Sequence, residues 1–126
     1  MLKHSVVLAV AVVASTPAFA DLSSCYEPIA PVAVDGSTAT EDQMKHALKD
    51  VKDFIASSDD YQLCLNSQLI QMKKDADKSK DKQPLDPSVQ ANVQSKIDAN
   101  QKLKEKVGNE YNAAAVAYNA KHPKTP

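Results

Sequence analysis

The chain contains no arginine and no tryptophan, only two glycines and only two cysteines. Each shortage excludes something. Without arginine there is no planar fork to grip phosphate or carboxylate in bidentate fashion. With 15 basic against 16 acidic residues, the formal charge of −1 leaves no electrostatic footprint for nucleic acid. Glycine stands at Gly36 and Gly108 alone, so no glycine-rich loop is available to cradle a phosphate. The scarcity of aromatic residues means that any core is built mainly of Ala, Val, Leu, Ile and Met, and is small. Beyond the first twenty residues the only histidines are His46 and His122, which gives a hydroxyl nucleophile no base-and-acid set to work with.

What is present begins with an export leader. Lys3 and His4 make a short basic start, "VVLAVAVVA" (Val6 to Ala14) is an apolar run too short to span a bilayer, and "AFA" (Ala18 to Ala20) offers a signal-peptidase site before Asp21. Residues 1–20 therefore read as a signal peptide, and a periplasmic or secreted product is expected, in a compartment where disulfides persist. No later run approaches about 18 consecutive apolar residues, so no integral membrane segment is expected after cleavage. "LSSC" (Leu22 to Cys25) also fits a lipoprotein cleavage site, which makes acylation of Cys25 the alternative. Against it, "STPAFAD" separates the apolar run from the cysteine, and acylation would leave Cys64 as a free thiol in an oxidising compartment.

Three stretches follow. Residues 21–38 hold Pro28 and Pro31 among Ile, Ala and Val and end in Asp35 and Gly36, which predicts an extended or polyproline arm closed by a turn. Thr38 and Thr40, each with Glu41 or Gln43 three residues on, make a capping box and start a helix near Ala39 to Glu41. Apolar residues then recur at Met44, Leu48, Val51 and Ile55 and again at Leu65, Leu69, Met72 and Ala76. The steps between fall in phase on Ser58 and Gln62, and Ala47, Phe54 and Tyr61 widen the stripe. The predicted helix spans about 40–80. Asp86 as N-cap with Pro87 in the first turn opens a second helix of about 87–121, whose stripe runs from Val89 through Val93, Ile97, Leu103 and Val107 to Tyr118, with polar interruptions near Asn100 and Lys104.

A short connection between two long helices makes residues 39–126 an antiparallel hairpin. Pairing centred on residue 84 sets Phe54 and Ile55 against the alanines of 113–117 and Tyr61 against Gly108, with large side chains meeting small ones. Otherwise Gly108 ends the second helix and Asn109 caps a short third one. Cys64 lies some 35 Å along the first helix. The residues from Cys25 to Glu41 reach about 50 Å when extended, so the arm can fold back and be pinned there. The predicted fold is thus all-α: a long antiparallel helical hairpin whose extended, proline-containing N-terminal arm is stapled to the first helix by a Cys25–Cys64 disulfide. On such an arm Ile29, Val32 and Val34 are expected to cover apolar helix surface. A second copy of the chain, forming a four-helix homodimer, is the other possible cover.

The residues Pro28, Pro31, Asp35, Gly36, Ala39, Thr40, Gln43, Met44, Ala47, Val51, Phe54, Ile55, Ser58, Asp59, Tyr61, Gln62, Cys64 and Leu65, with "YNAAAVAYNAK" (Tyr111 to Lys121) at the end, form one spaced pattern. It resembles a group of small exported helical proteins of proteobacteria with no assigned activity. The resemblance covers most of residues 25–121, implies the same topology and brings no chemistry with it.

No residue set points to catalysis. Asp59 and Asp60 are adjacent on a helix and diverge by about 100°, so they do not converge on one substrate atom. Cys25 and Cys64 lack the CxxC spacing of a redox site. Lys73, Lys74, Lys78, Lys80 and Lys82 are interleaved with Asp75, Asp77 and Asp81, as on a solvated hairpin tip. His46 and His122, with Glu41, Asp42 or Asp50, are the only candidates for a metal site; the plainer reading is of two surface histidines, and no metal or other cofactor is assigned. The expectation is an exported, non-enzymatic structural or interaction module, with an envelope protein as its possible partner. A periplasmic chaperone or adaptor that binds apolar segments is the alternative, and a divalent-metal-binding protein a more distant one.

Overall fold

The computed structural model describes residues 22–125, so the expected signal peptide over residues 1–20 lies outside the described residues. Two helices carry the fold, α1 (Glu41–Lys78) and α2 (Pro87–Lys121), preceded by a single 3-10 turn, Leu22–Ser24, and the extended arm; there is no strand among the described residues. The start of α1 is fixed by the expected box. The Gln43 amide donates to Thr40 Oγ1 at 3.2 Å and the Thr40 amide donates to Gln43 Oε1 at 2.8 Å, which satisfies two donors that the first turn leaves without intrahelical partners. At the tip, Ser79 takes extended backbone and Lys82 a positive φ of 44°. The Ser88 amide then donates to Asp86 Oδ1 at 2.9 Å, and Pro87 opens α2. α2 runs unbroken through Gly108 to Lys121.

The helices pack antiparallel along the two stripes. Nearest the tip, Tyr61, Leu65 and Val93 bury one another, with Leu69 and Ile97 against them. At mid-height lie Val51, Phe54 and Val107, and at the open end Met44 and Ala114. The arm contributes to every cluster: Cys25 to the first, Ala30 to the second, Val34 and Ala39 to the third. It serves as the third element that two helices alone lack.

Between the first two clusters the stripes turn polar in the same place. Asn100, fully buried, donates from Nδ2 to Ser58 Oγ at 3.2 Å and accepts at Oδ1 from Gln62 Nε2 at 2.8 Å. Just outside this layer Lys104 pairs with Asp59 across the helices. A buried polar pair is satisfied in one alignment of the helices only, so this layer selects the register. Asn100→Ala removes both bonds and leaves the buried Ser58 hydroxyl unpartnered, and we expect a loss of about 2 kcal/mol in urea unfolding.

That register differs from one centred on residue 84. Phe54 packs on Val107 rather than on the alanine run, and Tyr61 packs with Leu65 and Val93 rather than opposite Gly108. A Cβ added at Gly108 meets nothing within 4 Å, so its smallness answers to no packing partner. The slip is about eight residues, or 12 Å along the axis. It arises because the connection is not symmetric: the end of α1 runs past the start of α2, and the matched polar and apolar layers set the alignment instead of the loop.

Candidate interaction surface

The arm is held at both ends. At one end Cys25 and Cys64 form a disulfide with Cα atoms 5.7 Å apart, above the buried ring of Tyr61. The Cys25 amide donates to the Leu22 carbonyl at 3.0 Å, and Gln68 Nε2 donates to Ser24 Oγ at 3.2 Å. Burial raises the Tyr61 hydroxyl pKa above its ordinary value, and the nearby Glu27 carboxylate adds to the shift. At the other end Asp35 organises the turn. Its carboxylate accepts from the Ser37 hydroxyl at 2.6 Å and the Ser37 amide at 2.9 Å, and its carbonyl accepts from the Thr38 and Ala39 amides. Those two bonds from Ser37 hold the carboxyl below its usual range.

Gly36, inside this turn, is buried against the backbone of α2: an added Cβ would lie 1.7 Å from the Ala114 carbonyl oxygen. The alanines around 114 therefore admit the turn of the arm, a role the sequence alone assigned to packing against Phe54. Disulfide and turn together fix the path of the arm antiparallel to α1.

Along that path burial repeats every three residues, as on a threefold extended helix. Pro28, Pro31 and Val34, joined by Ala30, face the helices and are partly covered. Tyr26, Ile29 and Val32 face away and are 86%, 93% and 94% exposed. Ile29 and Val32 thus do not cover the helices as expected; of the three residues expected to do so only Val34 does. The reason is phase: with three residues per turn, seating the two prolines inward turns 26, 29 and 32 outward. Spacing of three around Pro28 and Pro31 was the signal available in the sequence, but nothing in it said which row would face in.

Beside this row runs an open trough of about 710 Å³, lined on the arm by Tyr26, Glu27, Ile29 and Val32 and on α1 by Asp50 and Asp53. Between Tyr26 and Val34 the backbone makes no hydrogen bond within the chain among the described residues. The other large exposed apolar side chains among the described residues, Leu63, Ile70 and Val116, lie on the two helices.

The two histidines turn back on their own helices. His46 Nδ1 donates to the Asp42 carbonyl at 2.8 Å, and the His122 ring stacks on Tyr118 with centroids 4.2 Å apart while its Nδ1 donates to the Tyr118 carbonyl. The observed register places His122 about 12 Å along the axis from the level of His46. Among the described residues no group of three histidine, cysteine or acidic side chains is placed to hold a metal ion. Nor, among the described residues, is any helix long and apolar enough to cross a membrane. No protein-family model, curated protein or solved structure matches the chain.

Proposed function

We propose that the protein is an exported, non-enzymatic interaction module of the cell envelope, and that its working surface is the outer face of the arm. The observation that carries this reading is the row Tyr26, Ile29 and Val32. Large apolar side chains over 85% exposed, set in line on a segment tied down at both ends, are a recognition feature rather than a packing one. The leader-like start and the Cys25–Cys64 bridge agree with export to an oxidising compartment. The alternative of a chaperone or adaptor for apolar segments uses the same face, but a narrow row of three side chains on a fixed track favours one partner over many.

A photo-reactive benzoylphenylalanine at position 29 or 32, introduced in the exporting cell, tests this. We expect a discrete cross-linked partner from both positions and none from exposed positions on α2 such as Asn92 or Ser95. Equal, diffuse cross-linking from both faces, or none from either, would overturn the reading.

A further inference from the structure

We propose that the arm face docks a cationic amphipathic segment of a partner protein, whose apolar side chains sit on Tyr26, Ile29 and Val32 while its lysines or arginines meet Glu27, Asp50 and Asp60. The inference rests on the interaction reading above and adds the chemistry of the partner. Charge complementarity carries it. From Asp21 to Met44 the chain holds no lysine, while Glu27 and Asp35 lie on the arm itself. The adjoining face of α1 presents Asp50 and Asp53 to the trough, and Asp60 stands with Tyr26 near its disulfide end.

Few cations answer them. Lys45 and Lys49 are engaged by Glu41 and Asp53, and Lys52, the remaining lysine on this part of α1, does not line the trough. Among the described residues Glu27, Asp50 and Asp60 make no ion pair. An apolar row edged by unpaired carboxylates matches a partner that alternates apolar and basic side chains, and steers its approach.

The same charges disfavour the other occupants of such a face. A second copy docked face to face sets carboxylates against carboxylates. A bilayer surface rich in anionic lipid is repelled by them. A row of only three apolar side chains points to a transient complex.

The test uses the full oxidised protein and a fluorescein-labelled peptide of alternating lysine and leucine turns, with a counterpart in which every lysine is glutamate. Fluorescence anisotropy should give saturable binding of the lysine peptide and none of the glutamate peptide. Binding should weaken about tenfold in an Ile29→Ser, Val32→Ser double variant and in an Asp50→Asn, Asp60→Asn double variant, and should fall as salt shortens the screening length to a few ångströms. All four positions are exposed, so both variants should keep the melting temperature of the parent. No binding, equal binding of the two peptides, equal binding by parent and variants, or preferential binding to vesicles of anionic phospholipid would each overturn the proposal. If position 29 still captures a discrete partner in cells while the lysine peptide fails to bind, the cationic chemistry is wrong and the interaction reading stands; if both fail, both are wrong.

Discussion

Gly36→Ala should destabilise the protein by about 3 kcal/mol, a fall of 10 °C or more in melting temperature for a chain of this size. The new methyl carbon would stand 1.7, 2.6 and 2.9 Å from the carbonyl oxygen, carbonyl carbon and Cα of Ala114. These are backbone atoms in the middle of a helical turn and have no rotamer to escape into. Relief requires the Asp35–Thr38 turn to lift off α2, and with it go Val34 and Ala39 from the cluster around Met44 and Ala114. The expected size is therefore that of overpacking combined with partial loss of a core cluster. Gly108→Ala is the matched control, because the added carbon meets nothing within 4 Å inside an α-helix, and it should raise stability by up to about 1 kcal/mol. Thermal unfolding of the two variants should thus shift in opposite directions from one chemical change.

The second large effect belongs to the disulfide. Opening the Cys25–Cys64 bridge, by a dithiol reductant or as a Cys25→Ser, Cys64→Ser double variant, frees a segment whose ends are 39 residues apart, and the chain-entropy model gives a loss of about 4 kcal/mol. That is a large share of the stability of a small domain. The damage should be uneven. The polar layer of Ser58, Gln62 and Asn100 and the apolar clusters still hold α1 to α2, whereas Tyr26 to Val34, without backbone hydrogen bonds of its own, loses the anchor at its N-terminal end. Helical circular dichroism should therefore persist at low temperature in the reduced protein while its urea midpoint falls. Unchanged midpoints with and without reductant would mean that the bridge contributes nothing to the fold.

Much of this architecture was legible in the sequence because its signals are local. Thr40 with Gln43, and Asp86 with Pro87, mark helix starts by the chemistry of unpaired amides, and both form as read. The stripe from Met44 to Ala76 also holds: the residues on it are buried or partly buried, including Ser58 and Gln62, whose place in phase announced a polar layer. What remained hidden depends on relations between distant segments. The helical register is set by Asn100 meeting Ser58, a match that becomes visible only once the helices are aligned. The smallness of Gly36 is explained by an atom of Ala114, far along the chain. The outward row Tyr26, Ile29 and Val32 follows from which third of an extended helix faces inward, a phase that spacing alone leaves open.

The most direct test of the central claim, that the arm is a rigid track fixed by the bridge and the Gly36 turn, is the set of backbone ¹⁵N order parameters for Tyr26 to Val34 in the oxidised protein. Hydrogen exchange is the wrong probe, since amides without intramolecular partners exchange quickly even when the chain is held. Order parameters near 0.85, matching those of α1 and α2, are expected for the arm; values below about 0.6 across it would mean that it is a loose tether and that no fixed apolar row exists.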